Sequence, residues 1–344
     1  MKNKEDKTDL LFSDLGLNEL IKNNNIRRKG DEDSSSYSDT SIWYRPHNIM
    51  KEKGIVNYNA LIRFIPYVED TQYNLISKYR CYLKKSDGTG RYIDSDTIDG
   101  NTTTKNNILK YLFFKSRDSN NPMIQRMQKM FSSSVSGYSL IQVVKDDVEP
   151  ENNGKIFLYQ FGKRIFDKIL NEVKPTIEFI KPSNPYKIND AKLFQLSVRL
   201  VSLDDNPNVK IPDYSNSTFV DGKTNLIIDG EPITNSEEDK KRAIEFLKEN
   251  SHPELLQMKF NGLSDEDKEF IADFVINQIP DDNFKNETIK AFPDIFHSNI
   301  LSKEDEIDET NKMKKVIEMS EKQKQNESSD EDDGDDDDFD WSDL

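Results

Sequence analysis

The chain has 344 residues, 33% of them charged and 34% in the hydrophobic set, with a formal net charge of −16; that is room for one large or two modest domains, yet lean enough in apolar residues that part of the length should stay solvated. A single cysteine excludes a disulfide framework and a Cys-rich metal site, and neither a run of roughly 20 apolar residues nor a signal-peptide core occurs, which points to a soluble protein of the reducing cytoplasm with no membrane partner. The negative average hides a polarity, because residues 101–200 hold 16 Lys and Arg against 9 Asp and Glu, whereas residues 327–344 hold 11 acidic residues and no basic one.

Residues 1–41 read as an arm. Leu10, Leu11, Leu15, Leu17, Leu20 and Ile21 fall near helical spacing, interrupted by Gly16, and predict a short helix that either docks on the core or binds a partner. Arg27, Arg28 and Lys29 follow, then the acidic, Ser-rich linker "GDEDSSSYSD". From residue 42 to about 220 the pattern is mostly short strands. "ALIRFIPYV" is ended by Pro66, and "YNLISKYRCYLKK" alternates before the turn "SDGTG". "RYIDSDTIDGNTTTKN" reads as loop, while "ILKYLFFKS" and "PMIQRMQKMF" read as helical or mixed; together they make an insertion over about residues 92–136.

The next stretch combines several signals. A β-branched run from Ile141 to Val144 meets a turn region with Pro150 and Asn152 to Gly154, and a second run places Phe157, Tyr159 and Phe161 at spacing two. Period two aims those rings at one side of a sheet. Gly162, Lys163 and Arg164 then open a helix to about Val173, and strands resume at "TIEFI" and "KLFQLSVRLVSL". The predicted class is β-rich α+β, an OB-fold-like Greek-key barrel carrying an inserted subdomain. Residues 221–302 read as helices whose apolar stripes (Ile244, Phe246, Leu247; Phe270, Ile271, Phe274, Val275) predict packing on the barrel, and two of these helices open with Ser followed by acidic residues. Residues 303–344 are a charged connector and an acidic tail that cannot bury enough apolar surface to fold alone.

Catalysis finds no support in these residues. His47, His252 and His297 lie in unrelated contexts, no phosphate loop or dinucleotide fingerprint occurs, and Cys81 inside a strand-like run reads as an inert buried thiol. No enzyme activity, cofactor or metal is expected. Binding an unpaired polyanion without reading its sequence needs a cationic groove for phosphates and exposed ring faces for bases. Tyr79, Tyr82, Tyr92, Tyr111, Tyr138 and Tyr159 interleave with Arg63, Arg80, Lys84, Lys110, Lys115, Arg117, Arg126 and Lys129, which supplies both. Any one of these tyrosines reads equally well as a ring capping the core with its hydroxyl wet, so the argument rests on the cluster. In the tail, Asp335, Asp336, Asp337, Asp338, Asp340 and Asp343 surround Phe339, Trp341 and Leu344, a composition suited to occupying a cationic groove or docking other proteins. The rival reading is a non-catalytic acidic adaptor that links partners through this tail and the N-terminal helix.

The residues resemble the single-stranded DNA-binding, helix-destabilising proteins of T-even-like tailed phages. "IQVVKDDVEPENNGKIFLYQFGKRIFDKI" looks like that family's strand, Pro-Glu-Asn-x-Gly-Lys turn, aromatic strand and Phe-Gly-Lys helix start, with weaker similarity in "ALIRFIPYVEDTQYNLI", "YLKKSDGTGRYI", "LFQLSVRLVS", "DYSNSTF" and the acidic end. The resemblance implies an OB-fold core that coats single strands during phage replication, recombination and repair in the host cytoplasm. It implies contact with neighbouring copies through an N-terminal basic motif, for which Arg27, Arg28 and Lys29 are the nearest candidate. It also implies recruitment of replication and recombination proteins (polymerase, helicase loader, recombinase) through the tail. Arg63 matches a family Arg in the cleft, Tyr92 falls in the matching Tyr-Ile, Tyr138 falls where the family has an aromatic just before the Ile-x-Val-Val strand, and Tyr159 and Tyr214 match family Tyr residues. The family's zinc subdomain uses one His and three Cys, but "DSDTIDGNTTTKNNILKYLFF" has neither residue; either packing through Ile108, Leu109, Leu112, Phe113 and Phe114 holds the subdomain in its place, or the subdomain is remodelled.

Overall fold

The computed structural model describes residues 11–12, 41–96, 107–203 and 206–296. The expectations for Arg27, Arg28, Lys29, His297, the connector and the acidic tail therefore lie outside the described residues. The chain divides into two compact units, Met1–Ser264 and Asp265–Leu344.

Local sequence signals set most boundaries. Pro46 opens helix α1 (Pro46–Lys53), which Gly54 ends at φ 67. Strand β1 (Asn57–Ile65) stops before Pro66, and β2 (Ile76–Lys84) turns through Asp87 and Gly88 into β3 (Gly90–Ser95). The loop expected at "RYIDS" is thus strand, because Arg91 to Ser95 complete a hairpin ladder with Tyr79 to Leu83. Asn107 and Asn121 cap α2 (Ile108–Arg117) and α3 (Pro122–Met127) by accepting from backbone N–H groups. Then come β4 (Ser133–Asp146), β5 (Ile156–Gly162), α4 (Lys163–Val173), β6 (Ala191–Leu203), β7 (Asn206–Asp213) and β8 (Thr218–Thr224). A short pair, β9 (Ile227–Ile228) and β10 (Glu231–Pro232), precedes α5 (Glu237–Asn250); strand structure therefore runs past the expected switch to helix near residue 220. The second unit holds α6 (Asp265–Gln278) and α7 (Asp282–Ala291). "TIEFI" is not a strand. Pro175 and Pro182 bracket it, neither can donate to a ladder, and Ile177, Phe179 and Ile180 are exposed.

The eight main strands pair antiparallel in the order β3-β2-β4-β1-β6-β7, with β5 on β4 and β8 on β6. This corrects the expected closed barrel: among the described residues no pairing joins β3 to β7, and the sheet branches where β5 and β8 add to strands that already have partners. β4 is its spine. One edge takes β1 from Ala60↔Asp146 to Ile65↔Leu140 and then β2 from Ile76↔Tyr138 to Cys81↔Ser133, while the other takes β5 from Ser136↔Gly162 to Gln142↔Ile156.

Both faces of the sheet are covered. On one, Ile62, Phe64, Val143, Tyr159, Phe161, Phe194 and Leu196 meet Ile165, Ile169 and Val173, which recur at i, i+4 and i+8 along α4. The period-two aromatic run does share one side, and that side is core: Phe161 lies 6.2 Å from Phe64, ring to ring. On the other face Tyr138, Leu140 and Leu158 pack with Ala243 and Leu247 of α5, Leu255 and the buried Leu11. The α2 region is filled by the buried Ile108, Leu109, Leu112, Ile124 and Phe131, with Phe113 and Phe114 half-buried. Cys81 is buried and donates to the Met130 carbonyl at 3.3 Å, and burial pushes its thiol up to about 12. No helix among the described residues is long and apolar enough to cross a membrane.

Gly137, opposite Phe161 in the β4–β5 ladder, is required by close approach. A Cβ there would sit 2.3 Å from Phe161 Cε2. Gly137→Ala should lower stability by about 1–3 kcal/mol, the range for overpacked cores, read as a lower urea midpoint at unchanged slope.

Candidate nucleic-acid interface

Alternation along β2 separates its side chains. Lys78, Arg80, Tyr82 and Lys84 share one face; Tyr79, Cys81 and Leu83 turn to the other. Cross-strand pairing sets Tyr92 of β3 beside Tyr82, with ring centroids 4.8 Å apart, and both rings are open to solvent at 64% and 46% exposure. Two paired rings this exposed, tilted by 49°, are unusual outside a binding surface, because burying them would be worth more than leaving them wet. The Arg80 guanidinium lies 5.7 Å over the Tyr92 ring. Asp94 holds it from below, with Arg80 Nε donating to Oδ1 at 2.7 Å, and the same carboxylate takes Lys78 Nζ at 2.6 Å. Burial pushes the Asp94 carboxyl up, but the hydrogen bonds from Arg80 and Lys78 outweigh it and keep it ionised below its ordinary range. Through the Asp94 hydrogen bond, Arg80 is held more firmly charged.

The same face continues across β4, where Ser134 and Ser136 pair opposite Arg80 and Lys78. There it reaches a cleft of about 840 Å³ bounded by Trp43, Arg45 and His47 around the start of α1, Ser134 and Ser136, the β5–α4 junction from Tyr159 to Ile165, and Ile211 to Tyr214. The segment before α1 is held in place by backbone: Tyr44 N–H donates to the Leu158 carbonyl at 2.9 Å, and Leu158 N–H to that of Ile42 at 2.8 Å. Trp43 packs edge-on to Tyr138 at 6.3 Å, and Arg45 lies 5.6 Å over the Trp43 ring. Arg164 bonds Asp213 and Ser215, and Lys163 pairs with Asp167. Burial, and then Arg45, push the His47 imidazole down. Tyr214 is half-buried at the rim, and burial pushes its phenol up to about 12.

The fifteen residues expected at the groove therefore scatter into five settings. Arg80, Tyr82, Lys84 and Tyr92 form the exposed hairpin face, and Tyr214 lies at the cleft. Tyr79, Lys110, Tyr111, Lys115 and Arg117 sit on the opposite side of β2 with α2. Lys110 Nζ is 4.1 Å over the Tyr79 ring and is pushed down by burial, Lys115 is 5.4 Å over Tyr111, and Arg117 pairs with Asp118. Arg126 and Lys129 are exposed beyond α2. Arg63, Tyr138 and Tyr159 are buried. Tyr138 is covered by Trp43 and Lys78, and Tyr159 belongs to the core cluster. Arg63 is fully enclosed, with Nη1 donating to the Thr224 carbonyl at 3.1 Å and Nη2 to those of Lys187 at 2.5 Å and Ile188 at 2.8 Å. Burial pushes it down to about 9, and it stays charged at neutral pH with both Nη atoms donating to carbonyls and Nε without a partner.

Sequence reasoning missed Trp43, Arg45, Lys163 and Arg164 as cleft residues. Trp43 is one of two tryptophans in the chain and directly precedes Tyr-Arg-Pro, a signal available without structure. No group of three or more His, Cys, Asp or Glu among the described residues is placed to hold a metal ion.

Exposed paired rings beside arginine, on a sheet face that runs into a cation-bearing cleft, define a nucleic-acid-binding class of protein. A family model described as gp32 DNA binding protein like matches residues 56–254, more than half of the chain, and the chain belongs to that family. Over 117 residues it is 32% identical to the single-stranded DNA-binding protein of Enterobacteria phage T4, and 32% over 117 residues to that of Enterobacteria phage T2. Each alignment covers 33% of this chain and 36% of the relative, so the chain spans about a third of the length of the curated relatives it matches.

Removing Arg63 tests its placement. Arg63→Met takes a donor from the Lys187, Ile188 and Thr224 carbonyls, of which that of Ile188 keeps the Leu226 N–H at 2.9 Å, and should cost about 1–3 kcal/mol of stability, measured by urea unfolding. The variant that remains folded should keep the salt dependence of polyanion binding, which a lost phosphate contact would reduce.

Proposed function

We propose that the chain binds single-stranded DNA without reading its sequence, coating and protecting exposed strands during phage replication, recombination and repair in the host cytoplasm. The observation that carries this reading is the exposed Tyr82–Tyr92 pair with Arg80 above it, on the face that leads to Arg45, Lys163 and Arg164 in the cleft. Each base stacked on such a ring is worth about 1–3 kcal/mol, and each neutralised phosphate adds about 0.7 to the salt slope on single strands. Binding the open strand and not the duplex shifts local melting by mass action, with no chemical step.

The remaining parts of the reading extend from the core. Arg27, Arg28 and Lys29 contact a neighbouring copy along the strand. The acidic residues from Asp335 to Asp343, with Phe339, Trp341 and Leu344, recruit polymerase, helicase loader and recombinase and compete with DNA for cationic surface. Family membership, the one-sided charge of residues 327–344 and the docking-motif composition support these roles.

Fluorescence titration with poly(dT) at two salt concentrations is the direct test: quenching of Tyr and Trp emission that weakens with salt is expected, and an unchanged spectrum would favour the adaptor reading. Tyr82→Ala with Tyr92→Ala should reduce affinity for every sequence alike, by tenfold or more, given about 1–3 kcal/mol per lost stack. Removing residues 327–344 should tighten binding at low salt, with the difference fading as salt rises.

A further inference from the structure

We propose that the first turn of α4 is a phosphate subsite inside the cleft, seating one phosphodiester of a bound single strand while the neighbouring base enters beside Trp43. The inference rests on the single-stranded DNA reading and names where one phosphate of that strand goes. A helix N-terminus offers unbonded N–H groups and the positive end of its dipole. In α2, α3, α5 and α7 a side chain of Asn107, Asn121, Ser236 or Asp281 takes those donors. In α4 the capping position is Gly162, which has no side chain to do so, and the first turn contains no acidic residue.

Its first two residues are instead Lys163 and Arg164. Cations at the positive end of a helix favour an anion beside them. Lys163 pairs with Asp167 and Arg164 with Asp213, which Arg199 shares, so an incoming phosphate would share or exchange these partners.

Nothing in the fold calls for glycine at 162. Its backbone, φ −90 and ψ −174, is open to any residue, and an added Cβ would meet nothing within 4 Å. What the missing side chain leaves is an open cradle above the N–H groups of the first turn, and Gly162, Lys163, Arg164 and Ile165 all line the cleft.

A second, independent feature of the same wall asks for a ligand. Tyr159 lines the cleft at 1% exposure, and its hydroxyl has no hydrogen-bond partner. Buried hydroxyls are normally bonded; that of Tyr186, equally buried, is shared with Ser139 at 3.0 Å. A phosphate oxygen or the polar edge of an inserted base would satisfy Tyr159, while Arg45 over Trp43 supplies another cation and a ring face.

The test uses substitutions whose structural and functional effects oppose each other. Gly162→Asp supplies the missing cap and a dipole-compatible charge, so the full chain should melt at the same temperature or higher. It also consumes the donors and repels phosphate. Affinity for a short oligo(dT) at low salt should fall about tenfold, and the salt slope should drop by about 0.7, one phosphate on a single strand. Gly162→Asn caps without charge and should show the same loss in smaller measure, with the Tyr82–Tyr92 quenching amplitude at saturation preserved. Both variants binding oligo(dT) as tightly as the natural chain, with the same slope, would overturn the subsite and leave the single-stranded DNA reading standing. A natural chain that shows no quenching at all would overturn that reading, and the subsite with it.

Discussion

One strand's hydrogen bonds fix the relation between the two halves of the candidate interface. β4 lends its first six residues to β2, and so to the Tyr82–Tyr92 hairpin, while across its other edge Ser136 to Gln142 hold β5, whose last residue begins the cleft's helix. A strand shared in this way leaves no hinge between stacking platform and cleft, since rotating one against the other would break a ladder in the middle of the sheet. The cost is local crowding, which is why the point where Phe161 crosses β4 tolerates only a hydrogen at Gly137.

The segment before α1 that completes the cleft is anchored by buried polar chemistry as much as by apolar packing. Asp146, at the end of β4, accepts from Tyr44 at 2.9 Å and from Tyr58 of β1 through one oxygen, and from the N–H groups of Val148 and Glu149 at 3.0 Å through the other. A carboxylate with this many donors is stable only if all stay in place. Burial first, and then each phenol's polar neighbours, push Tyr44 and Tyr58 far above the ordinary phenol range, so both remain neutral donors. Tyr44 sits between Trp43 and Arg45, and the Asp146 network thereby carries two cleft residues. Arg63 does similar work for the carbonyls of Lys187, Ile188 and Thr224.

Much of the fold was legible because its signals are local. Pro66 after β1, Ser236 with its following acidic residues before α5, and the run from Ile141 to Val173 announced their elements, and α4 begins and ends where its pattern predicts. The open, branched sheet was not legible, since its strand order depends on pairings between residues some 60 to 140 positions apart in the ladders, such as Ile76↔Tyr138 and Asn57↔Arg199. "TIEFI" failed through composition: its β propensity is real, but flanking prolines and the lack of a partner strand leave it exposed. At the site, sequence separates tyrosines by neighbourhood, not by direction. Tyr79 and Tyr82 lie three residues apart and fall on opposite faces, and Arg63, matched by resemblance, is enclosed by residues far along the chain. Trp43, Arg45, Lys163 and Arg164 went unread because their convergence is tertiary.

The lone thiol of Cys81 has a practical reach beyond packing. Sealed under the Met130 carbonyl and held protonated by burial, it cannot cross-link molecules crowded side by side when conditions turn oxidising, since only an opened β2–α2 region would present a thiolate to a reagent. Alkylation kinetics at this single sulfur would thus time the breathing of the layer directly behind the tyrosine pair, with no label engineered into the chain.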